Sequence, residues 1–224
     1  MNDKTKKNNI SPPNKSLEDS KNIGPSDNAE KLKAAIFARK NALYPKAHEL
    51  LSSVLQQNPN EVAAQKELST LFLLTENYDE AIKFLLSIVK QSKDPEWVLL
   101  GLAECYKRTN RISDEMLTLK NILANKFDDA ISRRLFDLQK NSGDIKGALQ
   151  TVINLRSVKD HIDLETAQAK LTALLGDRDE ALKMAETLLI KTPLPRGAIE
   201  LFLAIQLGDL NNPEAVLQKF KPMV

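Results

Sequence analysis

One spacing constrains this chain more than any other feature. Asn77, Asn110, Gly143, Gly176 and Gly208 follow one another at intervals of 33, 33, 33 and 32 residues, each before an acidic stretch. A second series marks the residue a few places further on. It is small except at Met116: Ala47, Ala81, Met116, Ala148, Ala181 and Ala215, at intervals of 34, 35, 32, 33 and 34. A unit this short cannot close a core of its own. It persists only by stacking on identical neighbours, so the period predicts an array rather than a globule.

Between the turns the apolar residues recur at helical spacing. Leu68, Leu71, Phe72 and Thr75 lie at i, i+3, i+4 and i+7, and so do Ala81, Phe84, Leu85 and Ile88. Each unit reads as a helix, a tight turn and a second helix. Gly or Asn at the turn suits a left-handed helix end. The acidic pairs Asp79-Glu80 and Asp179-Glu180 suit the positive start of the next helix. The third turn reads as one residue longer than the others, because Met116 stands where the rest have alanine. The runs Leu71-Phe72-Leu73-Leu74, Phe84-Leu85-Leu86 and Trp97-Val98-Leu99-Leu100 are the densest apolar stretches and read as inter-helix core.

Composition sharpens this reading. With 5% aromatic residues and seven glycines among 224, a turn-dense β fold is excluded. The fold expected is all-α: a right-handed superhelical solenoid of about six helix pairs. Residues 1–27 hold few large apolar side chains and read as a disordered polar tail. Residues 28–224 read as the array, in approximate units 28–60, 61–93, 94–127, 128–160, 161–193 and 194–224. No apolar run approaches the ~18–20 residues of a membrane span. No apolar stretch resembles a secretory leader, so a cytoplasmic location is expected.

At these residues the chain resembles the tetratricopeptide repeat family. Trp97-x-x-Leu100-Gly101 has the spacing of that family's opening motif, and the alanine series resembles its small residue at the helix–helix approach. Asn58-Pro59, Asp94-Pro95 and Thr192-Pro193 resemble the prolines that end its second helices. The resemblance covers residues 28–221 or so. The later units carry the turn and the alanine without the aromatic consensus. It implies a non-catalytic scaffold or adaptor that binds a partner protein or peptide in a groove lined by first helices. The alternative is a helical-repeat RNA binder, but 32 basic against 30 acidic residues is not the balance of a nucleic-acid surface.

Catalytic chemistry finds no foothold in the sequence. His48 and His161 are the only histidines, and Cys105 sits among Leu102, Ala103 and Tyr106 without a nearby base. Catalytic, cofactor and metal sites are therefore expected to be absent, and the protein is read as not an enzyme. Carrying the family's groove over by phase gives Lys66, Thr70, Leu73, Arg133, Asp137, Lys140, Asn141 and Lys170 as partner-binding positions. Four are basic and one acidic, so an acidic partner segment is expected. Leu32 and Ile36 stand where a carboxylate-clamping relative would carry polar residues, which argues against a chaperone-tail adaptor. The last helix, Pro213 to Lys221, either packs Val216, Leu217 and Phe220 inward or leaves an apolar edge around Phe220 for a homodimer.

Overall fold

The structure is a computed structural model, and it describes residues 25–159, 161–191 and 197–208. Among them are eleven α-helices and no strand. The chain divides into two compact units. The first, up to Asn77, holds α1 (Pro25–Lys40), α2 (Tyr44–Gln57) and α3 (Val62–Leu74). The second, from Tyr78, holds α4 (Tyr78–Ile88), α5 (Glu96–Arg108), α6 (Ile112–Leu123), α7 (Asp129–Ser142), α8 (Ile145–Val158), α9 (Ile162–Leu174), α10 (Arg178–Leu189) and α11 (Ala198–Leu207). Within each unit every helix packs on the next in sequence. α1 also touches α3, and α9 touches α11.

The turns are one motif used repeatedly. At the ends of α1, α3, α5, α7 and α9 a left-handed residue is followed by an amide that reaches back across the turn. Asn77 N donates to Phe72 O at 2.9 Å, Arg111 N to Tyr106 O at 2.8 Å and Asp144 N to Gln139 O at 2.8 Å. Leu43 N to Ala38 O and Asp177 N to Thr172 O complete the set. Each left-handed residue itself donates to a carbonyl three residues back, as Gly143 N does to Lys140 O. These paired bonds satisfy the carbonyls that the helix end leaves open.

The left-handed residues that close helices are Ala42, Glu76, Asn110, Gly143, Gly176 and Gly208, while Gly197 is left-handed at the start of α11. Gly208 closes α11. Their intervals are 34, 34, 33, 33 and 32. The first turn residue expected from sequence, Asn77, is thus displaced by Glu76. Asparagine favours the left-handed region and glutamate does not, so residue type alone points to Asn77.

The same register corrects the third unit. Its turn is not longer. Ile112 opens α6 just as Tyr78 opens α4 and Ile145 opens α8. The fourth residue of each second helix is then Ala47, Ala81, Glu115, Ala148 and Ala181. The four alanines are fully buried. Glu115, not Met116, holds the equivalent place, and it is 3% exposed. A charged side chain fits there because Arg134 of α7 meets it with two hydrogen bonds, Nε to Oε1 at 2.8 Å and Nη2 to Oε2 at 3.2 Å.

The core is a string of small clusters rather than one mass. Leu119, Ile122, Leu135 and Leu138 join α6 to α7. Val152, Leu155, Leu164 and Leu171 join α8 to α9. Ala181, Ala185, Leu188, Leu201 and Ile205 join α10 to α11. The apolar runs split by helical phase: Leu71, Leu85 and Val98 are buried, while Leu74, Leu86 and Leu100 are about half exposed. Asn58 caps the end of α2, as its proline suggests. Pro95 instead precedes the first turn of α5 and so opens a helix. The tail, Thr192-Pro193, and the expected last helix with Ala215 and Phe220 lie outside the described residues, apart from Pro25–Asp27. Those three already belong to α1.

Candidate functional site

The eight residues expected to bind a partner fall in both units. Lys66, Thr70 and Leu73 share one face of α3 in the first unit. Arg133, Asp137, Lys140 and Asn141 share one face of α7 in the second unit, and Lys170 lies on α9. All but Leu73 are exposed. The Thr70 hydroxyl donates to the Lys66 carbonyl at 2.9 Å, back into its own helix. Arg133 Nε pairs with Asp129 at 2.9 Å, one turn earlier, and this hydrogen bond holds the Asp129 carboxyl below its ordinary pKa. Lys140 Nζ lies 5.6 Å from the centre of the Phe136 ring.

The register of the turns shows what was missed. Three residues before the left-handed position stand Arg39, Lys107 and Lys140; nine before it stand Glu67 and Arg134. In the first unit Arg39 of α1 and Glu67 of α3 meet at 2.6 Å, an opposite-charge bridge from one first helix to the next. In the second unit the same two positions of α5 and α7 hold Lys107 and Arg134, both cationic. Arg108 is beside them on α5 and Arg133 on α7. Glu104 is the counter-charge, paired to Arg108 at 2.7 Å and to Lys107 at 3.8 Å.

Arg134 is the anchored member of the group. Glu115 fixes its guanidinium from beneath, while the side chain stays 42% exposed. Hydrogen bonding to Glu115 raises its pKa, and Asp137 and Glu104 add to the effect, so it is charged throughout the accessible range. Arginine carries five N–H donors, and Glu115 engages two of its nitrogens. The α5 residues escape sequence reasoning because Met116, one place after Glu115, resembles the small residue of the other second helices. With Glu76 and Asn110 in register, Glu104, Lys107 and Arg108 align with Thr70, Leu73 and Leu74.

Other reactive groups are quiet. Cys105 is fully buried in α5, and burial pushes its thiol up to about 11. Its thiolate is thus scarce at neutral pH. His48, exposed on α2, meets the edge of Phe72 at 5.8 Å between ring centroids. His161 caps α9, its Nδ1 accepting from Asp163 N at 3.3 Å. Among the described residues no group of three or more His, Cys, Asp or Glu could hold a metal ion, and no helix is long and apolar enough to cross a membrane.

Helix–turn–helix units with one turn motif and small residues at the helix crossings define a helical-repeat fold. Residues 39–98 match the profile of the family described as Tetratricopeptide repeat. Solved structures share the fold. A tetratricopeptide repeat protein from Parabacteroides merdae is 15% identical, with a TM-score of 0.53 over 87% of this chain and 79% of that one. The structure of Naa15/Naa10 bound to HypK-THB is 17% identical, with a TM-score of 0.62 over 87% of this chain and 31% of that one. YrrB, a tetratricopeptide repeat protein with an unusual peptide-binding site, is 14% identical, with a TM-score of 0.51 over 88% and 92%. No curated protein matches the chain by sequence. Residues 39–98 thus match a tetratricopeptide repeat, and the chain shares the fold of solved tetratricopeptide repeat proteins.

Proposed function

We propose that the protein is a non-catalytic scaffold that binds an acidic segment of another protein along the first-helix face of its second unit. The observation that carries this is the Lys107 and Arg134 pair. Two cations occupy the positions where the first unit closes the equivalent junction with Arg39 and Glu67. A partner carboxylate there would add to Glu104 and Glu115, and guanidinium–carboxylate bonds are the strong kind. Arg133, Lys140, Asn141 and Lys170 extend the cationic face along α7 and α9, with Asp137 as its acidic member. Lys66, Thr70 and Leu73 form a separate contact strip on α3 in the same reading.

The array organisation of residues 28–224, in the units given above, and a cytoplasmic location belong to the same proposal. So does a homodimer through the segment around Phe220.

Anisotropy of a fluorescein-labelled octapeptide of alternating Asp and Leu tests it, with an Asn-for-Asp version as control. The acidic peptide is expected to bind more tightly, and Lys107→Glu with Lys140→Glu to weaken it about tenfold or more, which is about 1.4 kcal/mol. Equal binding of both peptides, or no effect of the double change, sinks the proposal. Preferential binding of single-stranded RNA with a steep salt dependence would replace the peptide by a nucleic acid.

A further inference from the structure

A cleft of about 380 Å³ opens on the opposite side of α7, between the second helices α6 and α8. Its lining from α7 is Ser132, Leu135 and Gln139, which share a face away from Arg133, Asp137 and Lys140. None of the eight residues assigned to partner binding lines it. The volume sits at the small end of ligand sites, roughly 300–1,000 Å³. It suits the end of a chain rather than a helix.

Particular residues of this one repeat keep the cleft open. The residue four before the left-handed position is Ala38, Phe72, Tyr106, Thr172 or Ala204 elsewhere, and here it is Gln139, 1% exposed. The Thr151 hydroxyl donates to Gln139 Oε1 at 2.8 Å, which turns the amide nitrogen toward α8. There Gly147 replaces the lysine, glutamate or aspartate that the other second helices carry at their third residue. A Cβ at Gly147 would come within 2.2 Å of Asp144 Oδ2 and 2.6 Å of Gln139 Nε2, so the glycine leaves room for both side chains.

The cleft has two chemically different ends. Lys120, Gln139 and Gly147 form one. Ala124, Phe127 and Ser132 form the other, about 10 Å away by the 1.5 Å rise of a helix. Lys120 is the one charged lining residue. Its ammonium lies 3.8 Å from Asp144, beyond hydrogen-bond length, and its side chain is 49% exposed. Gln150 Nε2 donates to Asn154 Oδ1 at 3.1 Å on the rim.

We propose that this cleft binds the C-terminal end of a partner chain whose last residues are apolar. The terminal carboxylate lies at Lys120 and the Gln139 amide. The apolar side chain lies against Leu123, Ala124, Phe127 and Leu135. A cation and the Gln139 amide at one end, with an apolar wall at the other, match an apolar residue that ends in a carboxylate. An internal segment would bring no carboxylate to Lys120, which would keep only Asp144 at 3.8 Å.

The full chain, isotope-labelled, is titrated by NMR with acetylated tetrapeptides ending in Leu, Phe, Ile or Val. Each is compared with its C-terminal amide and with hexanoate. The expected result is amide shifts confined to α6, α7 and α8 for at least one free-carboxylate peptide, at least fivefold weaker binding of its amide, and loss on Ala124→Leu, which fills the cleft from an exposed position. Lys120→Gln should weaken the acid and leave the amide unchanged. Lys107→Glu with Lys140→Glu should leave this site intact, which separates it from the first-helix face. Absence of shifts across the panel overturns the proposal. So do shifts centred on Lys107 and Lys140, equal binding of acid and amide, or hexanoate binding as tightly as the best peptide.

Discussion

The left-handed turn position shows how differently one backbone demand can be met. Gly143, Gly176 and Gly208 meet it without a side chain, whereas Ala42, Glu76 and Asn110 hold φ near 55–58°. A non-glycine residue pays roughly 1–2 kcal/mol there, less for asparagine. No atom lies within 4 Å of a Cβ built on Gly143, so a substitution there is resisted by backbone conformation alone. Gly143→Ala should therefore lower stability by about 1 kcal/mol, and Glu76→Gly should raise it by a similar amount. Urea denaturation midpoints of the two variants check the pair. If both move in the same direction, strain at this position is not what sets their stability.

Among the elements, α6 departs most from its equivalents. Four second helices place alanine at their fourth residue, fully buried, and α6 places Glu115 there. The carboxylate is 4% exposed and its partner Arg134 is 42% exposed, so the two members of the pair are not equal. Removing Arg134 strands a buried charge, which costs several kcal/mol. Removing Glu115 leaves a cation that water can reach, and it restores the alanine of the other repeats. Arg134→Ala is expected to cost about 3 kcal/mol and Glu115→Ala about 1 kcal/mol or less. A larger loss for Glu115→Ala by thermal or chemical denaturation would reverse this account. The repeat period was legible in the sequence, but the phase of this helix was not. Met116 and Ala81 look alike as apolar residues, and a buried glutamate becomes visible only with the arginine 19 residues on that neutralises it.

At the scale of the molecule, each unit is held by contacts between helices adjacent in sequence or one helix apart. Stability in such an array is local, a sum over neighbouring interfaces. Ala181→Leu overpacks a fully buried crossing and should cost about 1–3 kcal/mol. Amide hydrogen exchange should then quicken in α9, α10 and α11 and hold steady in α4, α5 and α6. Uniform acceleration would mean that the second unit behaves as one cooperative core instead.

The sequence by itself determined the class of this protein: the helix pairs, their period near 33, the glycine turns and the small residues at the crossings. All of these are local demands, met within one turn or one helix and written into residue type. Tertiary structure decided what depends on two helices at once. It set the register that puts Glu76 rather than Asn77 at the turn. It paired the buried Glu115 of α6 with Arg134 of α7. It opened the cleft that Gln139 and Gly147 form between α6 and α8. Each of these rests on side chains from different helices meeting, and a spacing along one chain carries no record of which faces will meet.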